Sequence, residues 1–166
     1  MTDKRVLVAY GTKNGATEGI AQEIAATLRK DGLEAEARPA REVASVGAYH
    51  AVILGGALYA GRWQRDARRF ARRHTGQLRS RDVWFFSSGP LDDSAEKGEI
   101  PPAFGVRRAM SRTGARGHVT FGGRLAEHPT GRLARSMAKR GLDKDHRNFE
   151  QIRQWAHSVS ASLLAP

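Results

Sequence analysis

The sequence predicts an α/β protein: a three-layer sandwich with helices on both faces of a five-stranded parallel sheet of order 2-1-3-4-5. Three observations predict it. Compact apolar runs of strand length, such as "RVLVAY" and "AVILGG", lack polar alternation and so suit strands buried on both faces. Stretches with apolar residues at helical spacing stand between the runs, and strands alternating with helices imply parallel pairing. The chain of 166 residues is long enough for a sizeable core, and its 40% hydrophobic content argues against disorder. A single domain over residues 1–166 is expected.

The elements follow in order. Residues 4–10 form the first strand. Residues 16–30 carry Ile20, Ala21, Ile24, Ala25 and Leu28 on one helical face, stopped by Asp31 and Gly32. The alanine-rich stretch 33–38 suits a weak edge strand, and 51–56 a central one. Trp63, Ala67, Phe70, Ala71, His74 and Leu78 then trace one helix face, with arginines on the other. "VWFFSSGP" is a fourth strand stopped by Gly89 and Pro90, and 117–123 is the fifth. Phe149, Ile152, Ala156, Val159 and Leu163 make a final amphipathic helix, with Asn148 and Gln151 spaced as a capping box. No internal repeat interrupts this order.

Composition removes several chemistries. With no cysteine, disulfides, thiolate metal sites and cysteine nucleophiles are excluded. The six histidines, at 50, 74, 118, 128, 146 and 157, show no metal-ligand spacing, so no metal site is expected. His74 reads as a helix-end histidine favouring the dipole. Ser88 lies on "SSGP" rather than a nucleophile elbow, which leaves no hydrolase triad. No apolar run reaches the ~18 residues of a spanning helix, and "MTDKRVLVAY" does not read as a signal peptide. The expectation is a cytoplasmic protein, with a peripheral position at the inner membrane face as its extension. Net charge is +11, and residues 62–81 hold eight arginines against one acid, Asp66. Such a surface suits acidic small molecules or anionic lipid as well as it suits plain solvation. Nucleic acid is not an expected partner, because no aromatic-interleaved basic platform is visible.

On a doubly wound sheet, ligands bind beyond the carboxyl ends of the strands, where strand order reverses. The functional residues are therefore expected in 11–17, 57–63 and 87–93. The first of these loops, "GTKNGATE", lacks the Gly-Lys-Ser/Thr of a Walker loop and the three spaced glycines of a dinucleotide fingerprint. The third strand ends in "ILGG" without the aspartate of a receiver domain, and a small tyrosine phosphatase would need cysteine. Thr12, Lys13, Asn14, Gly15, Ala16 and Thr17 running into a helix remain. Helix-start amides aided by hydroxyls can cradle a phosphate. An ordinary turn capped by Thr12 or Asn14 is the alternative.

"LVAYGTKNGATEGIA" resembles the flavodoxin signature for the FMN phosphate, with Thr12 and Thr17 at its hydroxyl positions and Asn14, Gly15 and Ala16 between them. "LGGALYAGRWQRDARRFARRH" and "DHRNFEQIRQWA" are similar to menaquinone-dependent protoporphyrinogen oxidases, and "VWFFSSGPLDD" and "GARGHVTFGGRL" to actinobacterial flavodoxin-domain proteins. The resemblance covers nearly the whole chain. It implies a flavodoxin-like fold, FMN as cofactor, and oxidoreductase chemistry on a reduced small molecule, with a quinone as acceptor. An electron carrier serving a redox partner protein is the second reading, and a non-catalytic binding or regulatory protein the third. Two features depart from electron-carrying flavodoxins: the basic charge, and a "SSGPLDD" loop without the aromatic many of them lay over the flavin.

Further cofactor contacts are expected at Ala57, Leu58, Tyr59, Gly61, Trp63, Ser88 and Gly89, while catalytic residues stay unassigned. Tyr59 and Trp63 offer rings to a flavin face, although Trp63 equally suits a core anchor. Gly61 suits either a backbone contact to flavin N5 or a simple turn. The long insertion at 124–147 places Arg132 and Arg135 on a basic segment. With Arg62 and Arg65 they are candidates for a rim that meets an anionic substrate or membrane.

Overall fold

A computed structural model describes residues 3–12, 15–59, 61–89, 100–124 and 145–166. In chain order they form β1 (Arg5–Gly11), α1 (Ala16–Lys30), β2 (Glu34–Pro39), β3 (Ala51–Tyr59), β4 (Arg62–Trp63), α2 (Arg65–Arg73), α3 (Thr75–Leu78), β5 (Asp82–Ser88), α4 (Phe104–Thr113), β6 (Gly117–Phe121) and α5 (Phe149–Leu164). The sheet runs β2-β1-β3-β5-β6 with every neighbour parallel. The two-residue β4 lies off this path and pairs antiparallel with the end of β3. Passing over β4, the order is the expected 2-1-3-4-5.

The absence of alternation in the central strands has a plain cause. Each feeds two cores, because successive side chains point to opposite faces. Val6 and Val8 of β1, Ile53 of β3 and Phe86 of β5 join the core under α1 and α5. Leu7, Val52, Leu54 and Phe85 join the other, under α2, α3 and α4. Helix α1 buries Ile20, Ala21, Ile24, Ala25 and Leu28 completely, each large side chain contributing about 1.5–3 kcal/mol. It ends where the Gly32 amide reaches the Arg29 carbonyl and the Leu33 amide the Leu28 carbonyl, with Gly32 at φ 96°. Edge strand β2 is only half-buried, as its alanine-rich sequence suggested.

The "GG" at 55–56 lets large rings close over the sheet. A Cβ on Gly55 would lie 1.9 Å from the Phe86 ring, and one on Gly56 would lie 2.7 Å from Trp63 Nε1. One glycine therefore serves each core.

Three expectations need correction. The helix face traced from Trp63 to Leu78 belongs to three elements. Trp63 sits on β4, and the helical run breaks at His74, between α2 and α3. The spacing survives because His74 packs on Phe70 at 4.5 Å, while the Thr75 hydroxyl donates to the Ala71 carbonyl at 2.7 Å. His74 itself is 5% exposed, and burial, then Arg73, holds its imidazole below the ordinary range. It is a neutral core residue, not a charged partner of a helix dipole. Helix α4 lies in the connection between the fourth and fifth expected strands, where the sequence pattern predicts no helix.

Candidate functional site

The sheet register brings the described parts of the expected loops to one edge, residues 90–93 of the third lying outside the described residues. Gly11 at the end of β1 pairs with Gly56, Gly56 with Ser87, and Ser87 with Thr120. Ala57 is opposite Ser88, and a Cβ on Gly89 would touch Leu58 at 3.0 Å. Thr12, Gly15, Ala16 and Thr17 therefore share this carboxyl end with Ala57, Leu58, Tyr59, Gly61, Ser88 and Gly89. Lys13 and Asn14 lie outside the described residues, as do Arg132, Arg135 and all of the insertion except Arg124 and residues 145–147.

At the first loop, Gly15 adopts φ 85°, a left-handed conformation that disfavours any side chain, and precedes α1 without a side-chain cap. The Thr12 hydroxyl oxygen accepts from the Gly15 amide at 2.9 Å, which folds the loop back toward β1. Thr12 therefore shapes the turn as the capping alternative required, yet the amides of α1's own first turn have no side-chain cap among the described residues. Thr17 on that turn is wholly buried, and its hydroxyl has no partner among the described residues. An unsatisfied buried hydroxyl costs about 1–3 kcal/mol. The Thr120 hydroxyl on β6 likewise has no partner among the described residues, but Thr17 alone of the two stands at a helix start without a side-chain cap. The donors present here suit a phosphate.

A cation that the spacing could not reveal lies beside this loop. Arg147 donates through Nη1 to the Ala16 carbonyl at 3.3 Å. Two contacts to Asp145, at 3.0 and 2.8 Å, hold the guanidinium, which also lies 5.0 Å from the Phe149 ring centroid. Its hydrogen bond draws the Asp145 carboxyl below the usual carboxylate range. Near the end of β1, Tyr10 donates to Glu18 of α1 at 3.2 Å, and burial followed by the Glu18 charge pushes its hydroxyl up to about 12.

The second loop is a tight hairpin. Leu58 pairs with Trp63 and Tyr59 with Arg62, and Gly61 turns the chain at φ 75°. Trp63 takes the core-anchor alternative: it is 3% exposed, stacks on Phe85 at 5.1 Å and donates its indole N–H to the Gly56 carbonyl at 3.0 Å. Tyr59 is the exposed ring of this loop. It lines a cavity of about 530 Å³ with Thr12, Arg41, Arg62 and Arg65, a size suited to a small ligand. Four arginines, at 41, 62, 65 and 68, against one carboxylate, Asp66, give this cavity a net positive lining.

The end of β5 holds a polar pair that motif spacing missed. The wholly buried Ser87 hydroxyl lies 2.9 Å from His118 Nε2 on β6. Burial pushes His118 down to about 4, so the imidazole is neutral at pH 7. Burial of Ser87 itself makes this a structural pair rather than an accessible nucleophile.

A family model described as "Flavodoxin domain" matches residues 7–148. Solved structures share the fold at low identity. The rubredoxin:oxygen oxidoreductase of Desulfovibrio gigas matches at a TM-score of 0.63 and 12% identity. The alignment covers 96% of this chain but 36% of that one, so the chain spans about a third of that enzyme's length. A cysteine-to-serine mutant of a flavodoxin from Pseudomonas aeruginosa matches at 0.63 and 15%, covering 97% of this chain and 99% of that chain. Oxidised flavodoxin 1 from Bacillus cereus matches at 0.62 and 15%, covering 98% and 100%. No curated protein matches the sequence. The fold is flavodoxin-like, the chain belongs to the flavodoxin-domain family, and membership implies FMN as its cofactor.

Proposed function

We propose that this flavodoxin-domain protein is an FMN-dependent oxidoreductase acting on a reduced, anionic small molecule. The observation that carries the reading is the buried Thr17 hydroxyl on the first turn of α1, which has neither a partner nor a side-chain cap among the described residues. A phosphate oxygen would satisfy that hydroxyl together with the amides of that turn. Thr12, Gly15, Ala16 and Thr17 would hold the phosphate, with Lys13 and Asn14 completing the loop. Ala57, Leu58, Tyr59 and Gly61 would border the flavin ring on one side, and Ser88 and Gly89 on another. When bound, FMN supplies the exchange of electrons and protons, and the protein contributes position and electrostatics.

The reacting partner is set by charge. Arg62 and Arg65 beside Tyr59 favour a carboxylate-bearing substrate over a neutral one. Protoporphyrinogen, or a related reduced molecule, is the substrate class proposed, with a quinone as acceptor. Among the described residues no helix is long and apolar enough to cross a membrane, so a quinone would be met at a membrane surface. An electron carrier remains the second reading, supported by the 99–100% coverage of two stand-alone flavodoxins.

Anaerobic mixing of the FMN-loaded protein with protoporphyrinogen should bleach the flavin absorbance, and a menaquinone analogue should restore it. No bleaching by protoporphyrinogen, with ready bleaching by a flavodoxin reductase, would make the protein an electron carrier.

A further inference from the structure

Helices α2 and α4 pack side by side on one face of the sheet, and of the arginines lining the groove between them only Arg62 has a part in the proposed function. Arg68 and Arg72 stand four residues apart on α2, and Arg108 and Arg112 four apart on α4. Residues at that spacing are neighbours on a helix surface. The two pairs line one cavity of about 420 Å³ with Arg62 and Phe104. Among the described residues no acidic side chain lines it, and none of the five arginines has an ion pair. Like charges gathered around one concavity repel each other and focus a positive potential into it. Phe104 is 71% exposed, an unusual position for a large ring, and Arg108 lies 5.8 Å from its centroid.

We propose that this groove is a second ligand site, taking an organic polyphosphate of the nucleotide type. Its phosphates would lie among the facing arginine pairs and its flat ring against Phe104. The guanidinium fork suits phosphate oxygens bidentately, and successive arginines one helical turn apart suit a chain of phosphates rather than one. The exposed aromatic ring supplies a stacking surface, and the volume fits a small molecule rather than a protein flank. The groove adjoins the cavity at Tyr59 and shares Arg62 and Arg68 with it, but Thr12, Gly15, Ala16 and Thr17 do not line it, and the proposal does not depend on FMN being the cofactor at that loop.

The test is calorimetric titration of the protein, with FMN saturating in both cell and syringe, using ATP, inorganic tripolyphosphate and a polyglutamate peptide as probes. Saturable one-to-one binding of ATP is expected, several-fold tighter than tripolyphosphate. R68Q/R72Q and R108Q/R112Q should each weaken both phosphates at least tenfold, and Phe104→Ala should remove the advantage of ATP over tripolyphosphate. All these side chains are exposed, and a thermal melt of each variant confirms its fold. Absence of saturable ATP binding would overturn the proposal. So would ATP displacing FMN, affinity unchanged in both arginine variants, or an advantage for ATP that survives loss of the Phe104 ring. Tighter binding of polyglutamate than of ATP would make the groove a docking surface for an acidic protein instead.

Discussion

Helices α1 and α2 both begin at the carboxyl edge of the sheet, yet their first turns are finished differently. At α2, the Gln64 side chain accepts from the amides of Asp66 at 2.7 Å and Ala67 at 3.1 Å. That start is closed by the protein itself. At α1, a left-handed glycine replaces the cap, and the first turn buries a hydroxyl with no partner among the described residues. Helix α4 also lacks a side-chain cap, but its first residues, Phe104 and Gly105, are exposed to water. Of these three starts, only that of α1 combines the lack of a side-chain cap among the described residues with burial of its first turn. The difference separates a helix end built for stability from one whose satisfaction comes from outside the chain.

The largest expected effect lies at α1. Replacing both hydroxyls in Thr12→Ala/Thr17→Ala should weaken FMN binding by roughly 3–6 kcal/mol, since each hydrogen bond to a charged group is worth about 1.5–3 kcal/mol. A fluorescence titration reads this directly. Unchanged affinity would remove the loop from the cofactor site.

A second expectation contrasts two buried hydroxyls. Ser87 has His118 as partner, while Thr17 has none among the described residues. His118 is held down to about 4 by burial, below its ordinary 6.5. The unfolded chain therefore takes up a proton that the folded protein refuses. The stability held by the neutral imidazole is complete above about pH 6.5 and falls as the pH drops toward 4, by up to about 1.4 kcal/mol per pH unit. Denaturant melts across that window should show the slope reduced in His118→Gln. His74, also lowered by burial, contributes in the same direction and keeps some slope in that variant. An identical slope in the two proteins would refute the role given to His118.

The smallest effect belongs to α2. Gln64→Ala should cost about 1 kcal/mol of stability in chemical unfolding, the ordinary value of a lost cap. The affinity for FMN should stay near that of the parent. A large loss of FMN affinity with little change in stability would erase the distinction between the two helix starts.

The same contrast shows what the sequence could and could not reveal. The β1–α1 unit was legible because an apolar run, a glycine-containing loop and an Ile-Ala-Ile-Ala-Leu face are all local patterns. Edge strand β2 was legible from weak, alanine-rich composition. The break at His74 was hidden because Phe70, His74 and Leu78 keep helical spacing through it, while a threonine hydroxyl takes the carbonyl at the bend. The hairpin β3–β4 was hidden because its partner strand has only two residues. At the site, Thr12 and Thr17 were visible as residue types, but the unmatched state of Thr17 depends on burial by the whole fold. Arg147 was invisible for the same reason. It reaches the Ala16 carbonyl from 131 positions away, and no local spacing encodes that contact.

The central claim is that the start of α1 holds a phosphate, and comparing FMN with riboflavin on the unaltered protein tests it most directly. The two flavins share the ring and differ by the phosphate alone. Parallel titrations should show saturable one-to-one binding of FMN and an affinity for riboflavin lower by about a hundredfold or more, the value of two hydrogen bonds to a charged group. Equal affinity for both flavins, or no saturable binding of FMN, would contradict it.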